Sequence, residues 1–208
     1  MCRAMLPVAL GGLLVMLAAC GGLDDAPDTP AAPSARSKHS QLFWDALGLV
    51  GDGVEGYATL REMAAAADLV VRGTLAAPRA TRQIRQQLPV GGPQQVAFYV
   101  AMDIVPTEVV RGMPGPLVIE FFRFRPPDQL DAFVVQLEET LPTGEMLMFL
   151  RWKTDASGAY RLVNGAGLWT SVGAGGVTCP LARPADTAKL RSEAAGFENV
   201  MALAEYVR

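Results

Sequence analysis

One amphipathic stripe bounded by prolines constrains this chain more than any other feature. Leu130, Phe133, Val134, Leu137 and Leu141 fall at i, i+3, i+4, i+7 and i+11, the spacing of one helix face. Pro126 and Pro127 stop whatever precedes the stripe, Asp128 is suited to cap its first turn, and Pro142-Thr143-Gly144 ends it. The segments immediately before and after it read as strands. A helix set alone among strands must bury its apolar face on a sheet.

Three strands precede it. Residues 68–75 and 96–110 carry the β-branched residues of strands, and Pro106 marks an edge or a bulge in the second. After a turn at 111–115, residues 117–124 form the third. There Glu120, Phe122 and Phe124 share one face opposite Phe121, so both faces are expected to be part-covered. Between the first two strands, Pro78, Pro89, Gly91, Gly92 and Pro93 predict a long loop over 76–94. Beyond the helix, residues 146–152 and 160–163 are a fourth and a fifth strand. Asn164-Gly165 then reads as a hairpin turn leading to short strands around 167–172 and 176–179. Residues 59–67 form a helix opened by a Thr59/Glu62 capping box. A closing helix begins at Asp186, with its best face at Phe197, Val200, Met201, Ala204 and Val207 and an interruption at Gly196. Glycines 48, 51, 53 and 56 predict an irregular stretch over 41–56, with Phe43 and Trp44 covering one end of the core.

Three strands, a helix and two more strands is the order of an OB-type barrel. The expected fold class is mainly β with flanking helices (α+β): an OB-like five-stranded barrel with a helix between strands 3 and 4 and a C-terminal helix. It occupies a single globular domain over 57–208. Three segments also resemble the netrin-like domain, an OB-type fold shared with tissue inhibitors of metalloproteases and with bacterial exported relatives. They are Ala67-Asp68-Leu69-Val70-Val71-Arg72-Gly73, residues 105–112 ending in Val-Val-Arg-Gly, and Leu141-Pro142-Thr143-Gly144-Glu145 leading into 147–150. The resemblance spans about residues 60–170, and its motifs are short and structural. It implies a tendency toward binding and carries over no active residue. The inhibitors of that family chelate a catalytic zinc through a free amino-terminal cysteine fixed by disulfides, which this chain does not reproduce.

The start of the chain carries an address. A short positive beginning with Arg3, an apolar run from Leu6 to Leu17, and then Leu17-Ala18-Ala19-Cys20 resemble the lipobox signal of bacterial lipoproteins. A spanning helix needs about 20 apolar residues, and this run is shorter and carries Pro7, Gly11 and Gly12. The resemblance implies a signal peptide over 1–19, a diacylglycerol on Cys20, and an extracytoplasmic protein of the cell envelope anchored in the membrane through lipid. Two acyl chains anchor durably where one does not. Gly21 in place of an Asp points to the outer membrane where the host has one. Residues 20–40, rich in Pro, Ala, Ser, Gly and Asp, read as the lipidated cysteine and a disordered tether, with the only histidine, His39, solvated within it.

A net charge of −3 and an apolar fraction of 50 % suit a globular domain and argue against a nucleic-acid partner. With Cys2 and Cys20 used by the signal and the lipid, Cys179 is left without an internal partner and reads as a small buried hydrophobe. No histidine–serine pairing, nucleophile elbow, phosphate loop or clustered metal ligands are seen, so no cofactor, metal or catalytic residue is assigned. The expected role is a non-catalytic binding module for an envelope protein or polymer, with Arg79, Arg82 and Arg85 as its contact surface. Two alternatives stay open. One is a carboxylate-dependent exported hydrolase using Asp68, Asp103 and Glu120; the other is a purely structural envelope component.

Overall fold

The computed structural model describes residues 35–48, 56–84, 96–173, 175–183 and 187–208. All belong to one compact unit, residues 33–208. Five strands close the barrel: β1 (Leu69–Ile84), β2 (Val96–Arg111), β3 (Val118–Arg125), β4 (Met146–Trp152) and β5 (Tyr160–Leu162). The order is β1-β2-β3-β5-β4, and β1 pairs back onto β4. Every pairing is antiparallel except the short β3–β5 contact at Ile119 and Tyr160. Helix α3 (Leu130–Glu139) sits between β3 and β4, so the barrel and its inserted helix have the expected order. Short strands β6 (Leu168–Ser171) and β7 (Val177–Thr178) extend the sheet beyond β4.

Strand alternation divides the apolar residues into two layers. Leu69, Val71 and Leu75 of β1 and Met146, Met148 and Leu150 of β4 face the barrel interior, with Phe98, Val100, Met102, Ile119 and Phe121. Leu130, Phe133 and Leu137 of α3 join this interior cluster. The intervening residues Val70, Leu147 and Phe149 face outward. There they are buried under α2 (Leu60–Ala66), α4 (Ala188–Ala194) and α5 (Val200–Val207), with Trp169 of β6. Strands buried on both faces read as continuous apolar runs, which is why Met146–Leu150 has no polar alternation.

The proline-marked irregularities lie in the register. Arg72 pairs with Glu108 and Gly73 with Pro106, so Thr107 is the extra residue of a bulge. A Cβ on Gly73 would lie 2.3 Å from the Val105 carbonyl oxygen, and one on Gly112 (φ +88°) would lie 2.2 Å from that of Asp68. The two Val-Val-Arg-Gly segments therefore share glycine because backbones approach closely there.

Several expectations are corrected. β1 does not end at 75; it continues through Ile84 as a partner of β2, passing Pro78 at a bulge where Ala77 takes φ 48°. A proline that donates no hydrogen bond is accommodated because the bulge leaves it unpaired. The rest of the expected loop, 85–94, lies outside the described residues. Asp128 is not a helix cap: it sits in a 3-10 turn, Pro127–Gln129, ahead of α3. Asn164-Gly165 does not turn a hairpin. β5 and β6 both pair with β4, and residues 163–167 bulge out opposite Phe149 alone, with Asn164 Oδ1 accepting from the Ala166 amide. The closing helix is broken around Gly196, as expected, into α4 and α5, the latter capped by Asn199, while Met201 of its expected best face is exposed and its expected start, Asp186, lies outside the described residues.

Residues 41–47 of the segment expected to be irregular, and the end of the expected tether, are helical as α1 (Ala35–Leu47). Phe43, Trp44 and Leu47 are buried in the interior cluster, as expected of the first two. His39 lies on this helix and its Nε2 is 2.9 Å from the Glu139 carbonyl oxygen at the end of α3, rather than merely solvated. The remainder, 49–55, lies outside the described residues.

Candidate binding face

On the outer surface of β1, β2 and β3, a further register shift places Thr81 and Arg82 opposite Tyr99 alone. A bulge re-aims the side chains it carries. Here it brings the Arg82 guanidinium over the Tyr99 ring, 4.5 Å from its centroid. Thr81 Oγ1 is 3.2 Å from both the Tyr99 carbonyl oxygen and Glu120 Oε1. From β3, the shared face of Glu120, Phe122 and Phe124 points the same way. Tyr99 and Phe122 are 5.3 Å apart and Phe122 and Phe124 5.0 Å, a row of half-buried rings across two strands.

The β4–β5 connection closes the end of this row. Lys153 Nζ donates to Glu120 Oε2 at 2.5 Å, lies 3.3 Å from Asp155 Oδ2, and sits 3.8 Å from the Tyr99 centroid. Arg82 Nη2 meets the same Glu120 oxygen at 2.8 Å and Asp155 at 3.1 Å. Glu120 and Lys153 are nearly fully buried, while Arg82 and Asp155 are about two-fifths exposed. The Ser157 hydroxyl and amide hold the Asp155 carboxyl far below the usual carboxylate range, with Arg82 and Lys153 adding to the effect. Two cations and two anions balance, and Tyr99 takes both cations on its ring. The result is a rigid, neutral, hydrogen-bonding corner beside an aromatic row.

Of the residues expected to form a basic contact surface, Arg82 belongs to this corner. Arg79 pairs with Asp103 at 2.8 Å, both part-exposed, and also donates to the Ala77 carbonyl. Arg85 lies outside the described residues, as does Cys20. The expected basic patch is thus, at Arg79 and Arg82, a set of ion pairs. Asp68, Asp103 and Glu120 have separate partners: Asp68 accepts from the Trp152 amide at 2.8 Å, Asp103 from Arg79, and Glu120 from Arg82 and Lys153. Among the described residues no group of three or more His, Cys, Asp or Glu is placed to hold a metal. Cys179 is fully buried, and burial pushes its thiol upward, away from the reactive thiolate.

Tyr99, Lys153 and Asp155 are members that sequence reasoning missed. Tyr99 lies in an apolar run whose outward positions are visible only once its partner strands are known. Lys153 follows the fourth strand by one residue and looks solvated until β3 places Glu120 beneath it. A concavity of about 1100 Å³ lies apart from this face, between α1, the 140–146 connection, the β6–β7 turn and the start of α5. Arg72 and Glu145, both in its lining, form an ion pair, and Arg72 also pairs with Glu108. The Asn199 and Ser171 side chains already accept from the first amides of α5. Among the described residues no helix is long and apolar enough to cross a membrane. No protein-family profile, curated protein or solved structure gives a significant match to the chain.

Proposed function

We propose that this protein is a lipid-anchored, extracytoplasmic binding module of the bacterial cell envelope. It captures an envelope polymer or protein on the outer face of β1–β3 and does no chemistry on it. The observation that carries this reading is the Tyr99–Phe122–Phe124 row ending in the Arg82–Glu120–Lys153–Asp155 corner. OB-type barrels bind extended polymers on the face of strands 2 and 3 and on the loops flanking it, and the row and corner occupy that place. Half-exposed rings supply flat apolar area at little entropic cost, and the fixed charges supply hydrogen bonds that orient a ligand. The lipobox-like start supplies the address, and Cys20 is its lipidation site.

Two measurements test this. The native chain should sediment saturably with purified insoluble cell-wall polymer or with a solubilised envelope protein. Tyr99→Ala and Phe122→Ala should weaken that binding about tenfold or more, which corresponds to about 1.4 kcal/mol, with unchanged circular dichroism. Equal retention of both variants would remove the face from the reading. Mass spectrometry of the protein from host membranes should find diacylated or triacylated Cys20, absent in Cys20→Ala; an unmodified chain starting at Met1 would remove the anchor.

A further inference from the structure

Inside the barrel the Arg123 cation has no ion-pair partner among the described residues. β3 sends Ile119 and Phe121 inward, and Arg123 continues that series, paired across the sheet with inward-facing Phe98. Arg123 is 1 % exposed. Its Nη1 donates to the Phe122 carbonyl, but Nε and Nη2 have no hydrogen-bond partner among the described residues. These two nitrogens form one edge of the guanidinium, the edge whose parallel N–H bonds match the two oxygens of a carboxylate or phosphate. An arginine cannot shed its charge to relieve burial as a lysine can. Unpaired, such a group is among the most expensive things a core can contain.

The neighbouring charge has the same sign. Arg125, two residues on, donates to the Phe124 and Ala46 carbonyls and lies over the Phe133 ring at 4.6 Å. Phe133 meets Phe98 edge-on at 6.0 Å, so both guanidinium groups gather at the barrel end covered by α1 and α3. Burial and the Arg125 charge draw Arg123 down to about 10, still cationic at neutral pH.

We propose that this barrel end is an oxyanion site, in which the Nε–Nη2 edge of Arg123 binds a carboxylate or phosphate group bidentately and Arg125 adds a second positive charge. The site is separate from the outer face and does not depend on what that face binds.

The test is thermal unfolding of the purified full chain against sodium acetate and against sodium phosphate, with ionic strength held constant by sodium chloride. Binding to the native state alone raises the midpoint with the logarithm of free ligand, by about 5–10 °C at one hundred times Kd for a chain of this size. A non-specific salt effect does not saturate and does not depend on one side chain. Arg123→Met, close in volume, should remove the response while raising or preserving the midpoint in chloride; Arg125→Gln should weaken apparent affinity about tenfold. Arg123→Lys, which keeps the charge and loses the fork, should lose most of the response. Broadening of the 13C-acetate resonance by the native chain, displaced by whichever anion binds more tightly, reads the site directly even where a variant fails to fold. Tighter saturation by acetate assigns a carboxylate ligand and tighter saturation by phosphate a phosphoryl one. The proposal is overturned by a flat native response to both anions without 13C-acetate broadening, or by an Arg123→Met variant that responds like the native chain.

Discussion

Glu120 shows how much one side chain holds together. It accepts from Thr81, Arg82 and Lys153, which arrive from two different segments of the chain, and it is nearly fully buried. Removing it leaves the Lys153 ammonium, 8 % exposed, with Asp155 at 3.3 Å as its remaining ion-pair partner among the described residues, beside the Tyr99 ring. Breaking one side of a buried pair costs about 3–5 kcal/mol, whereas replacing both members with apolar groups of similar volume is often neutral. Glu120→Ala should therefore lose about 3 kcal/mol in urea unfolding, because Asp155 retains part of the pairing. Glu120→Leu combined with Lys153→Met should recover most of that loss. If the double variant is as unstable as the sum of the singles, the corner is not a coupled unit.

At the scale of elements, bulges decide where function-bearing residues point. The bulge at Thr107 turns its hydroxyl onto Glu145 Oε1 at 2.7 Å, and Arg72 reaches the other oxygen of the same carboxylate. These bonds, Thr107 first, hold the Glu145 carboxyl below its ordinary value of 4.5. A lowered folded-state value contributes stability that is present above pH 4.5 and lost as pH falls through the lower, folded value. Thr107→Val should thus be less stable than the native chain at pH 7, and the gap should narrow as pH drops below 4.5. A gap that stays constant from pH 7 to pH 3 in chemical unfolding would remove Glu145 from the explanation.

For the whole molecule, the two apolar layers share β1 and β4, so neither layer is independent of the other. Leu203, Ala204 and Val207 of α5 cover the outward residues Val70, Leu147 and Phe149, whose neighbours in sequence line the barrel. Truncation before Val200 should abolish cooperative unfolding of the barrel itself, read as loss of a sharp thermal transition. A truncated chain that keeps the native midpoint would show the helical layer to be dispensable. Within this architecture the sequence by itself determined most of the element types, the single crossover helix and the order of the barrel elements along the chain. Those follow from periodicity and from backbone chemistry that acts over a few residues. The extent of β1, the helical state of Ala35–Leu47 and the interrupted partner of β4 were decided only by tertiary structure. In each, long-range pairing or burial outweighs the local preference of proline, glycine or Asn-Gly. The same holds for both candidate sites. Tyr99 and Glu120 meet across two strands with Lys153 of the β4–β5 connection, and Arg123 looks like any surface arginine until the closed barrel turns it inward. Charge placement depends on which residues the register sets face to face, and no local spacing in the chain records it.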